Sequence, residues 1–161
     1  MTHKVSEFDF RACADDVLAD AERSVLRAHL THYESAGVIE IRERLRRLYD
    51  LLATCVDKRR LAPIVAHAES IARDRFNAGF DLREVQVAIN VLEETVWKRI
   101  LADVPPAELA NALGLVSTVL GAAKDALARE YVTLASETRS PSLNLMALFD
   151  GTGRGPDEVW R

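Results

Sequence analysis

At 161 residues and 48% hydrophobic content, the chain has the length of one domain and enough apolar side chains to bury a core. Its 21 basic and 25 acidic residues leave a net charge of −4 with neither sign gathered into a block, which excludes a sequence-independent nucleic-acid binder that needs a basic face. Cys13 and Cys55 have no CxxC spacing, there is no apolar signal segment and no run near about 18 apolar residues, so reduced thiols and a soluble, cytoplasmic protein independent of membranes are expected.

Apolar residues recur at helical spacing, and no stretch alternates long enough to propose a strand, so the expected class is all-α. The first helix is expected from Asp9 to Ala36, with Phe10, Cys13, Val17, Ala21 and Val25 on one side and Gly37 as its terminator, because glycine accepts positive φ without a Cβ clash. A second spans 38 to 57 around Ile41, Leu45, Leu48, Leu52 and Val56, followed by Lys58, Arg59 and Arg60, cations suited to the negative end of a helix dipole. Pro63 opens a third, which stops at Asn77 to Gly79.

Asp81 with Glu84 three residues on reads as a capping box and fixes the phase of a fourth helix. Counted from there, Val85, Ala88, Ile89, Leu92, Val96 and Ile100 make a core stripe. Gln86, Asn90, Glu93 and Trp97 make a second, polar stripe, a candidate ligand pocket whose bland alternative is a helix boundary. Pro105 and Pro106 then introduce a long helix, 106 to 139, in which Leu109, Leu113, Val116, Leu120, Leu127 and Tyr131 form a heptad-like seam. Its other sides are also small or apolar, so a partner outside the monomer is expected. Lys124 and Asp125 interrupt this helix and should have polar partners, structurally within the chain, as Asp125 with Arg129, or across a contact. The expected organisation is a flexible terminus (1–8), a helical domain (9–139) and a tail (140–161) holding a short helix near 143–149.

Motifs for nucleophilic, phosphate-binding, dinucleotide or zinc chemistry are missing, so no catalytic residue is assigned and a non-enzymatic role is expected. His29 and His32 lie three apart without further ligands, so no metal site is assigned. His67 borders the Ile64, Ala68, Ile71 stripe and is the one candidate for holding haem iron; packing at the core edge is the competing reading. Arg42, Arg44, Arg46 and Arg47 alternate with Glu40 and Glu43 and read as a solvated, ion-paired helix face.

The stretch RFNAGFDLREVQVAINVLEETVW, the later LGLVSTVLGAAKDALAREYVTLAS and the segment SLNLMALF resemble the N-terminal domain of RsbR-type (RsbRD) co-antagonists, sensory domains of bacterial stress-response assemblies. The resemblance covers roughly residues 10 to 150. It implies a globin-like fold that holds no haem, dimerises through its first and last long helices and signals to an output domain. Members of that family usually continue into a phosphorylatable STAS domain, whereas this chain stops soon after its long helix, so either output is expected through a STAS-domain protein or kinase in trans, or the chain is a piece of a longer one. The reading is a homodimeric, cofactor-free, non-haem sensor whose interface joins Phe10, Val17 and Ala21 to the long-helix seam. A haem-binding globin using His67, and a plain assembly adaptor with no small ligand, are its alternatives.

Overall fold

The computed structural model describes residues 8–139, which form six helices and no strand. They are α1 (Ala14–Arg27), α2 (Thr31–Ala36), α3 (Val38–Lys58), α4 (Ala62–Asn77), α5 (Leu82–Asp103) and α6 (Pro106–Arg139). The all-α class is as expected. The short helix expected near 143–149 lies outside the described residues.

Where the sequence carries strong stop and start signals, the helix bounds follow them. Gly37 has φ +86 between α2 and α3, and Gly79 has φ +82 after α4, both in the region that residues with a Cβ avoid. Pro63 sits in the first turn of α4, where its missing N–H is not needed. The Asp81 carboxylate accepts the Arg83 N–H at 2.8 Å, and the Asp81 N–H donates to the Glu84 carboxylate at 3.2 Å, so the capping box forms. The single helix expected from 9 to 36 is a correction: it is two helices. Residues 28–30 break it, with His29 left-handed at φ +50. This turn brings Tyr33 inward, where its ring meets Phe80 edge-on at 5.3 Å, and places His32 against Glu84. Tertiary contacts outweigh local helix preference here.

Packing is organised around α5 and α4. Helix α6 lies chiefly along α4 and then α5, while α1 lies against α5 and α3 on the other side and makes no substantial contact with α6. The seam expected at a dimer interface thus faces helices of its own chain. On α6, Val116, Leu120, Leu127 and Tyr131 are buried within their own chain, and Leu109 and Leu113 are partly buried against the same core. Tyr131 also donates its hydroxyl to the Phe80 carbonyl at 3.2 Å, and burial pushes its pKa up to about 12. Val17 and Ala21 of α1 are buried as well, and Phe10 packs on Phe8 and Tyr49 at 4.8 and 5.8 Å. The Tyr49 hydroxyl fixes the Phe10 carbonyl at 2.7 Å. A heptad pattern identifies a buried stripe but not the chain that buries it, and here α4 is the partner.

The expectation that no run reaches the apolar character of a membrane span also needs correction. Pro106–Thr138 contains an 18-residue window of mean hydropathy 1.2 with at most two charged residues. Between Glu108 and Lys124 the helix carries no charge. One side of that stretch forms the core of this domain, and the same apolar content serves to pack on α4 and α5.

Candidate functional site

Of the polar residues singled out, three are brought together. The Lys124 ammonium reaches across from α6 to the Glu93 carboxylate at 2.6 Å and the Asn90 amide oxygen at 3.1 Å on α5. Glu93 is only 13% exposed and Lys124 29%, so the pair joins the two helices where water reaches it poorly. Asp125 pairs with Arg129 at 3.1 Å on the surface. Gln86 is half-buried and Trp97 is exposed, and the four polar residues of α5 do not line the cavity described below. Replacing Lys124 alone with Met should cost about 1–3 kcal/mol by stranding the Glu93 carboxylate. Adding Glu93→Met should recover most of that loss, because a buried pair and an apolar pair of similar size are nearly equivalent. Chemical denaturation of the two variants checks this; equal loss in both would mean that the pair is not coupled.

The stronger candidate site was not legible as a unit. A cavity of about 320 Å³ opens between α3, α4 and α5, with Val25 of α1 and Tyr33 of α2 completing its wall. Ile41, Leu45, Leu48, Ile71, Val85 and Ile89 make it apolar, and Arg44, Arg75, His67 and Tyr33 supply polar groups. Glu40, Glu43, Arg47 and Asp74 are exposed residues that contribute to the same wall. A few polar groups in an otherwise apolar concavity is the usual composition of a small-molecule site, and this one is at the small end of the range.

Arg44 is the unusual member. The expectation of a solvated arginine face holds for Arg42, which bridges to Glu22 of α1 at 2.7 Å, and for Arg46, which reaches Asp15 at 2.6 Å. It fails for Arg44, whose side chain is 19% exposed. Its guanidinium lies 5.6 Å from the Tyr33 ring centroid and 5.5 Å from that of Phe80, which Arg75 also approaches at 5.3 Å. Its Nη2 pairs with Glu40, while Nη1 is buried without a hydrogen-bond partner among the described residues. Burial first, and the like charge of Arg75 second, pull the Arg44 pKa below its ordinary value. His67 is likewise held below its usual range by burial, then by Arg47 and Arg75. The sequence did carry a signal for Arg44: it stands three after Ile41 and four before Leu48, on the inner stripe of α3.

Next to Val85 of the cavity wall, Glu84 ties neighbouring elements together. Its carboxylate accepts three hydrogen bonds, from the Asp81 N–H, from the His32 N–H at 3.2 Å and from His32 Nδ1 at 2.6 Å. Because an ionised carboxylate only accepts, Nδ1 carries the proton in this contact. The His32 ring in turn stacks obliquely on Phe80, with centroids 4.8 Å apart. One carboxylate therefore caps α5 and ties α2 to it.

The described residues thus form an all-α domain with a small cavity of mixed polarity. Residues 14–140 match the family described as the RsbT co-antagonist protein rsbRD N-terminal domain. The chain belongs to this family, which makes it a stress-signalling regulatory domain of the RsbR type. No curated protein and no solved structure matches the chain.

Proposed function

We propose that the chain is a homodimeric, non-catalytic, non-haem sensor domain with a globin-like helical arrangement, acting in the cytoplasm and passing its signal to a protein partner in trans. A STAS-domain protein or a kinase is the kind of partner this reading favours, because RsbR-type domains interact with signalling proteins of the stress assembly.

The observation that carries dimerisation is the open side of α6. Ala107, Gly114, Gly121, Ala128 and Ala135 recur every seven residues on one face. A Cβ added at Gly114 or Gly121 would meet nothing within 4 Å. Glycine in the exposed interior of a helix costs about 1 kcal/mol relative to alanine, so two of them here make sense if another helix approaches closely. Beside them Val132 is 63% exposed on α6, and Leu101 and Trp97 are exposed on α5. Within the apolar window of α6, 28% of the residues are fully buried in their own chain. The interface proposed from this face replaces the inward seam of Leu120 and Leu127.

Light scattering across a micromolar dilution series tests it. The wild-type chain should give a dimer that dissociates on dilution, and Gly121→Leu should shift it to monomer while helical content stays constant. A wild-type chain that remains monomeric at every concentration would end the proposal.

The haem alternative retains one supporting observation, a neutral His67 on the cavity wall. The size of the cavity and the two arginines beside that histidine favour a smaller and anionic occupant.

A further inference from the structure

We infer that the cavity between α3, α4 and α5 binds a small organic carboxylate, its head group on Arg44 and Arg75 and its apolar body against Leu45, Leu48, Ile71 and Ile89. This deepens the sensor reading by naming a ligand class, and rests on that reading only for the statement that the ligand is a signal; the binding itself stands on the geometry.

Three observations converge. First, the Arg44 guanidinium is held in a largely buried place with one nitrogen donating to nothing, and a buried unsatisfied donor of a charged group is costly unless something completes it. Second, Arg75 lines the same cavity as Arg44 and forms no ion pair with a described residue, while Arg44 pairs only with Glu40. Planar guanidinium forks suit a carboxylate, which can accept from more than one donor at once. Third, much of the wall is hydrocarbon, with Ile41, Leu45, Leu48, Val85 and Ile89 all nearly inaccessible, while Glu43, Arg47 and Asp74 contribute at its exposed part. An inorganic anion would satisfy the arginines and leave that wall wet.

Size narrows the class. Taking about 30 Å³ per water as a yardstick, 320 Å³ holds roughly ten water volumes, which corresponds to a ligand of about ten non-hydrogen atoms. A carboxylate bearing a phenyl ring or a chain of seven or so carbons fits; a long lipid does not. His67 supports the same polarity of fit, since a neutral imidazole on the wall can donate one hydrogen bond to the head group without adding a charge.

Isothermal titration of the intact chain with 3-phenylpropanoate and octanoate, alongside 1-octanol and inorganic phosphate, tests the inference. The two carboxylates should bind with a dissociation constant in the micromolar to low millimolar range, and octanol and phosphate at least tenfold more weakly. Arg44→Met should weaken carboxylate binding tenfold or more while raising the melting temperature of the unliganded protein, because it removes the unsatisfied buried donor. Should Arg44→Met fail to fold, Arg75→Gln, at a half-buried side chain, carries the same binding test. Octanol binding as well as octanoate, phosphate binding as well as either carboxylate, unchanged affinity in the arginine variants, or no heat with any carboxylate at millimolar concentration would each overturn the assignment. Dimerisation and partner binding are measured separately, so a failed titration leaves the signalling reading standing, and a monomeric chain leaves the ligand reading standing.

Discussion

Leu120→Ala should destabilise the folded monomer by about 2–5 kcal/mol, a large share of the stability of a domain this size. Leu120 is 0% exposed, on the side of α6 that α4 and α5 cover, and its removal leaves a cavity in a region with little freedom to collapse. The loss should be the same at every protein concentration, because the contacts broken lie within one chain. Urea denaturation followed by circular dichroism at two concentrations, tenfold apart, measures both features. A midpoint that falls only at the lower concentration would return Leu120 to an interface between copies. Leu127→Ala should behave alike, since Leu127 is equally enclosed about two turns further along the same stripe.

Glu84→Ala is expected to be the most damaging change near the surface. It removes the acceptor for the Asp81 N–H and for both His32 donors, a loss of about 2–3 kcal/mol for a charge-assisted set. It should also loosen α2, seen as faster amide exchange over residues 28–36 while the amides of α6 stay protected. The pH dependence follows from the same contacts. Burial pushes the Glu84 pKa up, but the His32 backbone and side-chain hydrogen bonds and the Asp81 N–H outweigh it, so the net shift is downward. A carboxyl lowered on folding contributes stability that is present above the ordinary glutamate pKa and is lost as pH falls through the lowered value. Glu84→Gln should therefore flatten the acid limb of a stability profile, and an unchanged acid limb would contradict the clamp.

Local chemistry made the helices legible and left their mutual arrangement obscure. The Asp81 and Glu84 box, Pro63, Gly37 and Gly79 each act within a few residues, and each marks its boundary correctly. His29 does not: nothing in Ala28, His29 and Leu30 forbids a continuing helix, and the break exists because Tyr33 and His32 gain distant contacts with Phe80 and Glu84. The seam of Val116, Leu120 and Leu127 is visible in the sequence as an apolar stripe, but its packing within its own chain is not, since periodicity carries phase but no address. Lys124 reads as a charge in need of a partner, and Asn90 and Glu93 as part of a polar stripe, yet 31 residues separate the ion pair, and only packing shows that they satisfy one another. The cavity was out of reach for the same reason. Arg44, His67 and Arg75 stand on two helices, and α3 taken alone makes Arg44 look like one more solvated arginine.

Helix α6 runs for 34 residues without a proline kink or an inserted loop, about 51 Å end to end, whereas α4 beneath it has 16 residues and covers about 24 Å. Beyond Tyr131 its side chains are mostly bare, so that stretch overhangs the body of the domain. A continuous backbone ladder is stiff against torsion. Any roll of α6 on its bed, of the kind a filled or empty cavity on the far face of α4 could impose, therefore arrives at Arg139 as the same angle, making the overhang a shaft that delivers motion instead of damping it.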